Sequence, residues 1–264
     1  MGGMRTTAST THGPTINTVM PARSRRIRRK EYLQPASLCP SERSALADRL
    51  YPVLCETMSG FARNEFEEHV FARGVRVGLF YGADGELAGF TYAGLDRVEH
   101  ESRNHAIFSM GTFFRPGYHG GVQTALFGFR VALRFKLREP RTPMSYLTRS
   151  VSPASYRRMA LVMPTLYPHS TRQTPAGVEA LVGALIARWQ YHPVAQDSWV
   201  VRSIATPHTV SRLRRIADDP ETRFYLRLNP RFADGESLVV FIPLNTANIV
   251  GGLFRATCAR GRRR

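Results

Sequence analysis

The fold of this chain is decided by the stretch HAIFSMGTFFRPGYHGGVQTALFGFRVALRFKL, residues 105–137. Its first part, HAIFSMGTFF, is apolar and β-prone, which predicts a central strand over residues 105–114. The following RPGYHGG contains a proline and three glycines, so a helix cannot continue through it. The chain must therefore turn at the end of this strand.

The segment after the turn, residues 122–137, predicts an amphipathic helix. Its apolar face, which we expect to point toward the core, carries Val122, Ala125, Leu126, Phe129, Leu133 and Leu137. Another face carries Arg130, Arg134 and Arg138. Strand, turn and helix together form the unit from which the rest of the chain is interpreted.

Further elements are predicted on both sides of this unit. Upstream, the pattern predicts helices over residues 41–58 and 62–71, then a hairpin of VRVGLFYG and ELAGFTYAG around Asp84-Gly85. Downstream it predicts a strand over 144–151, helices over 152–163, 174–189 and 208–217, and two strands, RFYLRLNP and SLVVFIPL. This order predicts an α/β fold with a mixed, mostly antiparallel twisted sheet flanked by helices on both faces.

Composition divides the chain into three parts. We expect residues 1–30 to be a disordered basic leader, residues 31–255 a single domain, and residues 256–264 a basic tail. Within the domain, residues 31–165 form the core, while residues 166–255 add helices and C-terminal strands.

The net charge of +17 suggests a polyanion partner, but much of the excess lies in the two tails. Twelve basic residues stand before Glu31 or in the last ten positions, and no folded segment combines basic and aromatic residues in a recognition pattern. We therefore expect no specific nucleic-acid partner, and non-specific polyanion binding through the tails is the lowest-ranked alternative.

The three cysteines and the apolar runs exclude other classes. The cysteines share no metal-ligand spacing, so we expect reduced thiols, no metal site and a cytoplasmic location. No stretch approaches the roughly 18 apolar residues that a membrane span requires.

The glycine-bearing turn is a candidate phosphate site. A strand that ends in such a turn and opens a helix leaves unpaired backbone N–H groups at the positive end of the helix dipole. Gly120 and Gly121 would let the backbone approach an anion closely, and His119 or Arg115 would add a hydrogen-bonding or positive side chain. A plain tight turn is the alternative.

The order of elements over roughly residues 31–165 resembles the GNAT acyltransferase superfamily. In that family a turn of pattern Q/R-x-x-G-x-G/A holds the coenzyme A pyrophosphate. The segment YHGGVQTAL, residues 118–126, matches this turn with Tyr118 at the basic or amide place, Gly121 at the first glycine place and Gln123 at the second small-residue place. The family's later N-x-x-A pattern matches Ser152–Ser155, and Met159 stands where members often have a tyrosine.

The resemblance implies an acyl-CoA-dependent acyltransferase, in which an amine of an unidentified acceptor attacks the thioester directly. The co-substrate would be acetyl-CoA or another acyl-CoA, and a strand N–H would polarise its carbonyl. The residues implied to hold it are Phe113, Phe114, Arg115, Tyr118, His119, Gly120, Gly121, Val122, Gln123 and Thr124.

Candidates for proton transfer follow from the same resemblance. Tyr156, about one turn before Met159, would replace the family's tyrosine as the acid that protonates the thiolate. Residues near or within the strand are candidates for the base or a polar partner: Glu99, Glu101, His105 and Ser109. An ordinary structural role is the alternative for each of them.

Two alternatives stay close to this interpretation. One is a GNAT-like module that binds an acyl-CoA or a protein without catalysis. The other keeps the transfer but takes the acyl group from an acyl carrier protein, whose acidic surface would suit an arginine-rich chain.

Overall fold

The computed structural model describes residues 25–194, 197–203, 206–207 and 216–261. The strands in this part of the chain are β1 Arg29–Leu33, β2 Met58–Ser59, β3 Arg76–Tyr81, β4 Leu87–His100, β5 Arg103–Phe114, β6 Met144–Ser150, β7 Pro193–Val194, β8 Asp197–Arg202, β9 Thr206–Pro207 and β10 Glu236–Pro243. The helices are α1 Pro40–Cys55, α2 Arg63–Val70, α3 Gly121–Arg138, α4 Pro153–Val162, α5 Ala176–Arg188, α6 Pro220–Leu228 and α7 Thr246–Gly261. Within these ranges, no helix combines the length and the apolar character needed to cross a membrane.

Eight strands form one sheet in the order β1-β3-β4-β5-β6-β10-β8-β7. Its pairs are antiparallel except β5 with β6, which run parallel across the connection through α3. Helices cover both faces, so the predicted fold class, a mixed and mostly antiparallel sheet, is confirmed.

The β4–β5 hairpin is longer than the sequence indicates. Its register runs without interruption from Gly89 opposite Phe114 to His100 opposite Arg103. Glu101 and Ser102 make the turn with φ of 49° and 58°, the positive values that a two-residue hairpin turn requires. Glu99 therefore belongs to a strand and not to a loop.

The two faces of the sheet carry different helices. On one face Phe127 and Val131 of α3 pack with Phe108 of β5. On the opposite face α1 and α2 form a second cluster that includes Phe90 of β4. Farther along that face, α5 packs against the cluster that contains Ile107.

The prediction of which face of α3 is buried was wrong. The buried residues are Thr124, Phe127, Gly128, Val131 and Phe135. The predicted core residues are 42–76% exposed on the opposite side: Val122, Leu126, Phe129, Leu133 and Leu137. The physical reason lies at Gly128, where a Cβ would stand 2.9 Å from the Sδ atom of Met110. Because glycine has no side chain, α3 can approach β5 closely on the side that carries Gly128.

Three other predictions need correction. RFYLRLNP lies mostly in helix α6, because Asp219 caps the backbone N–H groups of Glu221 and Thr222 and Pro220 opens the helix. Residues 29–30 of the predicted leader belong to β1, and residues 256–261 of the predicted tail belong to α7. SLVVFIPL forms β10 as predicted, whereas most of the predicted helix 208–217 lies outside the described residues.

The buried face of α3 can be tested with two phenylalanines on the same helix. Phe127→Ala should lower the free energy of unfolding by about 3–5 kcal/mol, because the side chain is 3% exposed and leaves a cavity. Phe129→Ala, at a side chain 43% exposed, should cost about 1 kcal/mol or less. Equal losses in urea denaturation would contradict the orientation of α3.

Candidate functional site

A gap opens in the middle of the sheet between β5 and β6. The two strands pair only from Ala106 opposite Met144 to Phe108 opposite Tyr146. Beyond Phe108, β5 continues to Phe114 with β4 as its ladder partner, and its side chains change from buried to half-buried or exposed. We call residues 109–114 the open edge of β5.

Within the part of the chain that the structure describes, the open edge presents unpaired backbone groups. The Ala106 N–H donates to the Pro143 carbonyl on the β6 side at 2.8 Å, whereas the Arg115 N–H donates to Ala88 beside β4 at 2.9 Å. Because successive residues of a strand point to opposite edges, the N–H and C=O groups of Met110 and Thr112 face the gap. A ligand in the gap would meet these groups first.

The turn after β5 is held by its own hydrogen bonds. The Tyr118 N–H donates to the Arg115 carbonyl at 3.0 Å, and Gly117 between them has φ of 88°. The Tyr118 hydroxyl donates to the Glu86 carboxylate, which raises the pKa of Tyr118 and lowers that of Glu86. Tyr118 thus ties the turn to the β3–β4 hairpin, and its predicted contact with the coenzyme stays a prediction.

The backbone after Tyr118 forms a cluster of N–H groups at the start of α3. In the described part of the chain, the amides of residues 119–122 have no hydrogen-bond partner. A Cβ on Gly120 would stand 2.5 Å from the Phe114 ring and 2.3 Å from Thr124, so this position requires glycine. Gly121 has φ of 49° and open space around it. We call residues 119–122 the N–H cradle; its place at a helix start suits an anion.

The other residues predicted to contact the coenzyme lie in or near the cradle, and several of their side chains contact other residues of the chain. Phe113 packs on Phe90 and Phe114 on Phe80, at ring distances of 5.1 and 5.3 Å. Arg115 pairs with Glu56 at 3.2 Å, and the Thr124 hydroxyl donates to the Gly121 carbonyl at 3.0 Å. His119 and Val122 are exposed and Gln123 is half-buried. The turn therefore offers an anion chiefly its backbone.

Tyr156 does not have the surroundings of a general acid. Its side chain is fully buried and its hydroxyl donates to the Pro168 carbonyl at 2.9 Å. Burial raises the pKa of Tyr156 far above its ordinary value. The side chain is part of the core, where Met159 also packs, and the acid role of Tyr156 stays a prediction.

The predicted bases are divided along β5. Glu101 lies in the hairpin turn, and His105 lines a cavity of about 420 Å³ with Leu181 and Phe241. Burial is the main cause that lowers the pKa of His105. Nine residues separate His105 from Phe114, or about 30 Å of strand, so both groups lie far from the cradle. Ser109, in contrast, stands where the open edge begins.

The sequence reasoning missed Tyr92, which lies opposite Gly111 in the β4–β5 register. A Cβ on Gly111 would stand 2.4 Å from the Tyr92 ring and 2.9 Å from its hydroxyl, so the ring lies directly across Gly111. Burial raises the pKa of Tyr92 to about 12. A glycine inside a strand, opposite an aromatic residue, is the signal that would have indicated this contact.

Comparison with known proteins gives matches among solved structures only. No family model and no curated protein matches the chain. The GphF GNAT-like decarboxylase in complex with isobutyryl-CoA is similar at 14% identity and a TM-score of 0.36, over 83% of this chain and 100% of that one. A conserved Enterococcus faecalis V583 protein, described as a probable N-acyltransferase, is similar at 15% identity and a TM-score of 0.34, over 65% of this chain and 47% of that one.

A third similar structure is the GCN5-related glucosamine N-acetyltransferase region of a fungal multi-domain GH3 β-N-acetylglucosaminidase. It has 10% identity and a TM-score of 0.30, over 66% of this chain and 18% of that one. GNAT-type proteins are thus among the solved structures similar to this chain.

Proposed function

We propose that this protein is an acyl-CoA-dependent acyltransferase that transfers an acyl group to an amine. The observation that carries the proposal is the N–H cradle at the end of the open edge of β5. The cradle suits a pyrophosphate, and the open edge leads from it into the middle of the sheet. One extended ligand with an anionic end and a reactive end fits this arrangement.

In the proposed reaction the acceptor amine attacks the thioester carbonyl carbon. A C–N bond forms, the C–S bond breaks, and coenzyme A leaves as a thiolate. The acceptor nitrogen loses a proton to a base or to water, and the thiolate gains a proton. The Met110 N–H, at the open edge, is the donor that we assign to the thioester carbonyl oxygen.

The cradle can be tested at a single amide. Val122→Pro removes one unpaired N–H in the first turn of α3, where proline is tolerated. A hydrogen bond to a charged group is worth about 1.5–3 kcal/mol, so acetyl-CoA should bind about 10- to 100-fold more weakly by calorimetry. Val122→Ala keeps the amide and should bind like the parent. Unchanged affinity in the proline variant, with the fold intact, would remove the cradle from the proposal.

Tyr92 is the residue that we assign to protonation of the leaving thiolate, because its ring and hydroxyl lie across Gly111 at the open edge. Tyr92→Phe should lower kcat by about 100-fold or more and leave the affinity for acetyl-CoA unchanged. The matched control is Tyr156→Phe, which should lose about 1 kcal/mol of stability and keep its rate of thiol release. The opposite ranking of the two variants would restore Tyr156 as the acid.

A second candidate function takes the acyl group from a carrier protein, and the surface of α3 favours it. Burial is the main cause that lowers the pKa of the Arg76 guanidinium, and the nearby positive charges of Arg134 and Arg138 lower it further. No acidic residue occurs in α3, and its exposed apolar side lies beside these arginines. An acidic helical partner would satisfy both features.

The carrier-protein donor predicts salt-sensitive binding. An acidic acyl carrier protein should bind at low ionic strength, and Arg134→Gln should weaken this binding several-fold, since one cation is lost. Arg158→Gln, at an exposed arginine of α4, is the matched control. The affinity for the carrier protein is measured by fluorescence anisotropy. An affinity that changes neither with ionic strength nor in Arg134→Gln would exclude this donor.

A further inference from the structure

A cationic side chain stands on the β6 side of the gap. Arg149 follows Tyr146 by three positions on β6, and Tyr146 is level with Phe108 of β5. Equal rise along parallel strands therefore brings Arg149 to the level of Gly111, across the gap from the open edge. Leu147, two positions before Arg149 and on the same side of the strand, packs in the cluster that contains α5. Arg149 thus lies on the sheet face opposite α3.

The guanidinium of Arg149 is held by stacking. Its carbon lies 4.5 Å from the centre of the Tyr191 ring, and its side chain is half-buried. A guanidinium stacked on an aromatic ring keeps its N–H edge free to bind an oxygen anion through two hydrogen bonds. Tyr191 thereby fixes the orientation of a cation whose donors remain available.

No acid of the described residues forms an ion pair with Arg149. A carboxylate on the same face, Asp96, is four positions after Tyr92 on β4, has Arg188 as an electrostatic neighbour and also acts on Tyr191. Tyr92, whose ring crosses Gly111, is close enough to Arg149 and Tyr191 to interact electrostatically with both. Among the described residues, Arg149 is therefore a cation without an ion-pair partner, and it lies within electrostatic reach of Tyr92.

We propose that Arg149 binds a carboxylate on the acceptor, so that the acceptor is an amine of amino-acid type. This inference rests on the proposed acyl transfer. In an amino acid the carboxylate and the amine are separated by a single carbon. A carboxylate held by Arg149 at the level of Gly111 would therefore place the amine next to the carbonyl at Met110. The acceptor would enter from the face opposite α3, the side that Tyr92 and Tyr191 occupy.

The proposal is tested by comparing acceptors that differ at one group. Thiol release from acetyl-CoA is measured with phenylalanine, phenylalanine amide and 2-phenylethylamine, and with O-phosphoethanolamine against ethanolamine. We expect kcat/KM to be about 10- to 100-fold higher for phenylalanine than for its amide, the gain from a charge-assisted hydrogen bond. A preference for the phosphate-bearing amine alone, or equal rates with and without the carboxylate, would overturn the assignment.

Arg149→Gln provides the second arm of the test. It should raise KM for phenylalanine by about 10- to 100-fold and leave the kinetics with 2-phenylethylamine unchanged. Arg149→Lys keeps the charge without the planar fork and should recover part of the loss. Arg158→Gln, on α4, is the control for loss of an arginine elsewhere.

The affinity for acetyl-CoA separates the two ways in which the idea can fail. It should be the same in the Arg149 variants and in the parent, which also shows that the variants are folded. If acetyl-CoA binds and thiol is released with every amine irrespective of Arg149, the acceptor assignment is wrong and acyl transfer stands. If acetyl-CoA does not bind to the parent protein, acyl transfer itself is wrong.

Discussion

The structure depends on a limit to the pairing between two central strands. β5 and β6 share a parallel ladder of only three residue pairs and then separate, while each keeps its antiparallel neighbour on the other side. Backbone N–H and C=O groups in the middle of a sheet normally pair with another strand. Here they remain at the open edge of β5, and every other element of the candidate site is arranged around them.

The elements around the open edge are held by contacts that leave no room for side chains. Gly128 lets α3 lie against Met110, Gly120 lets the cradle lie against Phe114, and Gly111 lets the Tyr92 ring cross β5. Because glycine has no side chain, another group can approach the backbone closely at each of these positions. The cradle, the open edge and the phenol are therefore rigidly related, a requirement for catalysis by orientation.

Charge is distributed unevenly over the two faces of the sheet. The face covered by α3 carries Arg134 and Arg138 beside Arg76, whereas on the opposite face Arg149 stacks on Tyr191. An anionic donor and an anionic acceptor could thus approach from opposite sides without competing for the same cation. This separation connects the arginine-rich composition with the chemistry proposed for the gap.

By itself the sequence determined the strand, turn and helix of residues 105–137, the β3–β4 hairpin and the fold class. Period-2 and helical patterns, glycines and caps are local signals, and they suffice for such elements. Local signals gave a wrong prediction where two of them competed. The apolar residues of RFYLRLNP suggested a strand, but Asp219 and Pro220 start a helix and the segment lies mostly in α6. They also misled at α3, because a helix with two apolar sides does not reveal which one is buried.

Only the tertiary structure decided which residues meet at the gap. It buried Tyr156, placed Glu101 and His105 at the far end of the β4–β5 hairpin, laid the Tyr92 ring across Gly111 and stacked Arg149 on Tyr191. The physical reason is that these neighbours are set by strand register and by packing between segments distant in the chain. Local periodicity indicates the direction of a side chain relative to its own strand or helix. It does not indicate which residue of a neighbouring strand or helix that side chain contacts.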